Sequence, residues 1–257
     1  MFAIPWHGVA VVGTTDTPVD EISLEPRALD HEVESILDTA NDYLSHPAEP
    51  SDILSVFTGI RPLVRAGGDK KTADLSREHS ILIDPLSGLL TVAGGKWTTY
   101  RKMAADVVDR AILLADLDPH DCVTQDLAIH GAGGGRGAGS GATDIDGAAD
   151  RRLAVYGSDA AEIARMEAES EDARTALHPR LGITAAEVRW ACRSEMARTV
   201  DDVLARRTRS LLLDAQAAIE VAPRIAEILA AALGRDEAWI RAETEAFREI
   251  AAAYVHG

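Results

Sequence analysis

The stretch Leu89–Ala104, reading LLTVAGGKWTTYRKMA, constrains the fold of this chain more than any other. An apolar, β-favouring run stops at two glycines, a lysine and two threonines follow, and a helical pattern opens behind them. The stretch therefore encodes a strand, a tight turn and a helix start in succession. Gly94 and Gly95 permit positive φ and let a ligand approach the backbone closely. Thr98 or Thr99 is placed to cap the helix, whose first amides have no partner inside it. Those amides and the helix dipole favour negative charge just in front of them. A P-loop is excluded, because Leu90 and Trp97 stand where that motif requires Gly and Ser or Thr. A plain strand-to-helix connection with an exposed lysine fits the same residues equally well.

Composition narrows the classes. Hydrophobic residues make up 46% of the 257 and charged ones 26%, which is the balance of a folded globular chain and not of a disordered one. The net charge of −16 disfavours nucleic-acid binding, since a polyanion would be repelled. Cys122 and Cys192 stand apart with no metal-like spacing, a usage that fits a reducing compartment. His130, His178 and His256 have no companions at ligand spacing, so no metal centre is expected. With no run of 18 apolar residues, the chain is expected to be soluble or at most peripheral to a membrane.

Taken in order, Val9–Val12 reads as a short buried strand, and the apolar spacing from Asp30 to Leu44 as an amphipathic helix. Ile53–Phe57 reads as a strand leading to Gly59–Leu63 (GIRPL), where Pro62 biases Arg61 towards an extended backbone. Arg77 precedes a strand at Ser80–Asp84, and Pro85, Ser87 and Gly88 make a hairpin turn into the Leu89 strand. After Thr99 a helix runs to about Ala115, with Met103, Val107, Ile112 and Leu113 as buried-face candidates. Arg61, Arg77 and Lys96 thus each follow or precede a short strand; if they converge they call for an anion, a phosphate being the natural one, and otherwise they are three independently solvated cations on an acidic chain. Residues 131–141, GAGGGRGAGSG, match no dinucleotide fingerprint and read as a linker. Beyond 146 the pattern is all-helical: Thr184–Glu187 is a capping box, with Val188, Ala191, Cys192 and Met196 behind it. Ile219–Leu233 ends at Gly234, and Glu237–Val255 carries Trp239, Ala242, Ala246, Phe247, Ile250 and Tyr254. The ARRTR run at Ala205–Arg209 reads as a solvated helix face sooner than a basic patch.

Four motifs occur in order: GTTD at Gly13–Asp16, GIRPL at Gly59–Leu63, SREH at Ser76–His79 and GGKWTTYRKMA at Gly94–Ala104. Together they closely resemble the C-terminal half of the FAD-dependent, quinone-linked glycerol-3-phosphate dehydrogenases. The resemblance is dense over 1–115 and looser over 180–257, where Glu195–Asp214 resembles that family's helical C-terminal domain. It implies an α+β chain: an antiparallel cap-type sheet portion plus a strand–turn–helix of the FAD-binding fold, then an all-helical domain. The division expected is 1–115 for the substrate and flavin-contact part, 116–145 for the linker and 146–257 for the helical domain.

In activity, the resemblance implies oxidation of sn-glycerol 3-phosphate to dihydroxyacetone phosphate, with FAD as cofactor and quinone as acceptor. Arg61, Arg77 and Lys96 would hold the small phosphorylated substrate, with Lys96 catalytic. Gly94, Gly95, Lys96, Trp97, Thr98 and Thr99 would face the flavin. A dinucleotide-binding fingerprint, Gly-rich with an acid some 20 positions on, is absent from the sequence. The chain is therefore expected to be inactive alone and to need a complementary N-terminal half, in a cytoplasmic location that extends to the membrane periphery, with a homodimer among the assemblies open to it. The alternative from a different class is a non-catalytic anion-binding or assembly module.

Overall fold

The computed structural model describes residues 1–61, 79–132 and 152–256. In chain order its main elements are β1 (Phe2–Trp6), β2 (Val9–Gly13), α1 (Asp30–Asn41), β3 (His79–Ile83), β4 (Leu90–Gly94) and α2 (Tyr100–Leu114). There follow α3 (Ala160–Ala168), β5 (Ala176–His178), β6 (Leu181–Thr184), α4 (Ala185–Ser194), α5 (Ala215–Leu233) and α6 (Glu237–Ala251). The strands form antiparallel pairs β1–β2, β3–β4 and β5–β6. The architecture is the expected α+β mixture with a helical C-terminal portion. Chain contacts define two compact units, Met1–Gly59 with His130–Gly257, and Ile60–Ile129. Compactness thus groups the first 59 residues with the helical portion, where sequence alone suggests a boundary near 115.

In the first unit, β1 and β2 form a hairpin with Phe2 opposite Gly13 and Trp6 opposite Val9. Ile53–Phe57 is not a strand. Its backbone is tied to helix ends instead: the Ala215 amide donates to the Leu54 carbonyl at 3.0 Å and the Val56 amide to the Tyr254 carbonyl at 2.8 Å. The Ser55 hydroxyl adds a bond to the Leu211 carbonyl at 2.8 Å. β-Branched composition favours an extended backbone, but a ladder also needs a neighbouring strand, and here helix termini take that place.

The helical portion holds the core. Thr184 and Glu187 form the expected capping box at the start of α4: the Glu187 amide donates to the Thr184 hydroxyl and the Thr184 amide to the Glu187 carboxylate. Asp214 caps α5 and Asp236 caps α6 through amide bonds of 2.9 Å each, and Gly234, at φ 66°, ends α5. Val188, Val200, Leu204, Leu211, Ile225, Leu229 and Phe247 are fully buried together.

Four expectations fail here. The β5–β6 hairpin interrupts a region expected to be helical throughout; strands of three and four residues are too short for alternation to register. Met196 is 74% exposed, because α4 ends at Ser194 and Met196 lies beyond it at φ 58°. On α6 the buried positions are Thr244, Phe247 and Ala251, which leaves Ala242 and Ala246 on the outside. The ARRTR run is tied up by neighbours: Arg206 pairs with Asp201 and Asp202, and Arg207 with Asp202 and the Glu195 carbonyl.

In the second unit, β3 and β4 form the expected hairpin, with His79 opposite Gly94 and Ile83 opposite Leu90. Asp84 closes its turn by accepting from the amides of Leu86 and Ser87 and from the Ser87 hydroxyl, which holds its carboxyl below the usual range. α2 has no buried residue; Met103, Val107 and Ile112 are half-buried and Leu113 is 76% exposed.

Candidate active site

The site is built where β4 passes into α2. Gly94 and Gly95 both adopt positive φ, 80° and 81°. Gly95 is required twice over, since a Cβ there would run into the Met103 thioether. Lys96 then returns to an extended backbone, and Trp97–Thr99 form one 3-10 turn before α2. No side chain caps α2. Thr99 turns back instead: its hydroxyl accepts from the Lys96 amide at 3.2 Å and donates to the Lys96 carbonyl at 3.0 Å. The amides of Lys96 and Thr99 are thereby engaged within the turn. Trp97 and Thr98 are the first two residues of the helical turn, the positions whose amides have no partner within a helix and where the dipole favours negative charge.

Lys96 is exposed, and beside it Trp97, 85% exposed, stacks on Tyr100 with ring centroids 5.3 Å apart. Arg61 is exposed and lies outside any strand, because Ile53–Phe57 is not one. Arg77 lies outside the described residues, so the convergence of the three cations belongs to the proposal below.

The sequence reading assigned no role to His79, the last residue of SREH. Its Nε2 lies 3.1 Å from Asp106 Oδ2, and Lys102 Nζ lies 2.6 Å from the other carboxylate oxygen. The Lys102 bond, reinforced by the charges of Lys102 and His79, holds the Asp106 carboxyl below the usual range. A groove of about 590 Å³ runs alongside, lined by His79, Ile81, Ile83, Asp106, Asp109 and Arg110. The available signal was spacing: Lys102 and Asp106 stand i, i+4 on a helix that begins directly after the glycine turn. Among the described residues no cluster of three or more His, Cys, Asp or Glu is arranged to hold a metal ion, and no helix is long and apolar enough to cross a membrane.

An antiparallel hairpin feeding a glycine turn, followed by a helical domain, is an arrangement shared with a known class of oxidoreductases. Residues 122–240 match the family described as the C-terminal domain of alpha-glycerophosphate oxidase. A probable mitochondrial glycerol-3-phosphate dehydrogenase of Caenorhabditis elegans is 37% identical over 262 residues, covering 96% of this chain and 36% of that protein. Glycerol-3-phosphate dehydrogenase 2 of Mycobacterium tuberculosis is 33% identical over 258 residues, covering 98% of this chain and 43% of its own length. The crystal structure of the glycerol-3-phosphate dehydrogenase from Bacillus halodurans complexed with FAD shares the fold, with a TM-score of 0.73 at 22% identity over 98% of this chain and 50% of that one. The chain belongs to the glycerol-3-phosphate dehydrogenase family. It spans about two fifths of the length of the curated relatives it matches.

Proposed function

We propose that this chain supplies the substrate- and flavin-facing part of an FAD-dependent enzyme that oxidises sn-glycerol 3-phosphate to dihydroxyacetone phosphate and passes the electrons to a quinone. The observation that carries the reading is the Gly94–Gly95–Lys96 turn: positive φ at both glycines, an exposed lysine, and a helical turn that starts directly behind it. When bound, FAD would accept hydride from C2 of the substrate. The residues present suit its pyrimidine edge, which carries negative charge once reduced, because the Trp97 and Thr98 amides and Lys96 all favour an anion there. Arg61 and Arg77 would grip the phosphate through bidentate bonds, with Lys96 between phosphate and flavin.

On this reading the chain alone neither holds FAD tightly nor turns over, because the remaining cofactor contacts come from a complementary polypeptide. The assembled enzyme would work on the cytoplasmic side, against a membrane that carries the quinone. The test is an FAD titration followed by flavin fluorescence, with the chain alone and with a polypeptide covering the rest of the family's length. Binding and glycerol 3-phosphate oxidation only in the mixture are expected. Tight binding by the chain alone would overturn the claim of incompleteness, and no binding in either arm would overturn the enzymatic reading in favour of an anion-binding or assembly module.

A further inference from the structure

Two adjacent glycines at positive φ are the softest point of a backbone, since glycine passes between conformations that other residues cannot reach. The catalytic reading above nonetheless needs Lys96, one residue further on, at a fixed height. Three restraints converge on that point. His79 stands directly opposite Gly94 in the β3–β4 register. Gly95 lies against Met103 of α2, and the His79 Cβ would sit 3.4 Å from a Cβ on Gly95. The His79 imidazole then crosses to α2 and meets Asp106 at 3.1 Å, and Asp106 is itself fixed by Lys102 at 2.6 Å. A carboxylate only accepts, so Nε2 is the donor in this bond. His79 and Asp106 are both largely shielded from solvent, which strengthens a bond that water would otherwise compete for.

We propose that His79 is a positioning residue for the Gly94–Lys96 turn, acting through Asp106 to lock the end of β4 onto α2. The pair is a clamp, and Lys96 is what it aims. The proposal rests on the reading that this turn faces substrate and flavin, but the clamp is measurable without either.

Amide hydrogen exchange on the full chain reads it directly. His79→Ala is expected to speed exchange at residues 95–99 by about tenfold or more, with α5 unchanged, because the turn opens locally. His79→Gln, whose side-chain amide donates to Asp106, is expected to bring exchange back to within about threefold of the parent. Asp106→Ala attacks the same bond from the helix and should reproduce the local signature if His79→Ala fails to fold. Unchanged exchange at 95–99, acceleration spread evenly over the whole Ile60–Ile129 unit, or failure of glutamine to restore protection would each overturn the proposal. A protected turn in a chain that binds no flavin even with its complement would sink the functional reading and leave the clamp standing.

Discussion

Asp106 and Glu187 are carboxylates shifted in opposite directions, and they make opposite predictions for acid. The Lys102 hydrogen bond holds the Asp106 carboxyl low, so its contribution to stability is complete above the unfolded value near 4 and is lost as pH falls through the lower, folded value. Glu187 is almost wholly buried, and burial pushes its carboxyl up against the opposing pull of Arg152. The folded chain therefore binds that proton more tightly, and Glu187 works against the folded state as pH rises past the unfolded value. The Ile60–Ile129 unit is expected to lose structure first as pH is lowered from 6 to 3, read by exchange at β3, β4 and α2. Removing the Glu187 carboxylate altogether is a separate matter, since among the described residues Arg152 would be left with Glu167 as its acidic partner. Glu187→Ala is expected to cost roughly 3 kcal/mol in urea denaturation. Gly95→Ala meets both a positive φ and the Met103 thioether, and should lower stability by about 1–3 kcal/mol by the same measurement. Position 95 shows how much the sequence carries at this scale. The glycine pair announces a turn, but that Met103 leaves no room for a Cβ is a fact of packing between a strand end and a helix residue eight positions on.

Among elements, those with a chemical signature at each end were legible and those defined by their neighbours were not. α5 shows both cases: Gly234 ends it as residue type implies, whereas its start at Ala215, capped by Asp214, lies ahead of Ile219, where the apolar pattern places it. On α6 the inward placement of Trp239, Phe247 and Tyr254 agrees with the packing, and only Ala242 and Ala246 fall outside, since alanine is compatible with either face. Phe247→Ala should cost about 3–5 kcal/mol, measured by thermal or urea unfolding, because it empties a fully enclosed site in the main core. The segment Ile53–Phe57 was read as a strand since its residues suit an extended backbone, and no local pattern could show that helix ends would supply its partners. The same holds for the candidate site. The turn, the lysine and the helix start were visible, whereas the His79–Asp106 bond joins two elements whose proximity only the fold creates.

The two compact units differ in what holds them together. Every residue in the buried clusters belongs to the unit formed by Met1–Gly59 and His130–Gly257. Among the described residues of Ile60–Ile129 no hydrophobic side chain is buried, and Leu86, Trp97 and Leu113 stand largely in solvent. Trypsin at low ratio is expected to cut within Ile60–Ile129 well before the helical portion, with mass spectrometry of the fragments as the check, because local opening costs least where little apolar surface is buried.

The bonds from Leu54 and Val56 to Ala215 and Tyr254 also set an order of events during synthesis. An early segment of the first unit can take its final place only after the last helix has left the ribosome. At about 5–20 residues per second, the nearly 200 residues between Val56 and Tyr254 mean a wait of roughly 10–40 s. During that interval Ile53–Phe57 is an apolar stretch without the backbone partners it has in the folded chain.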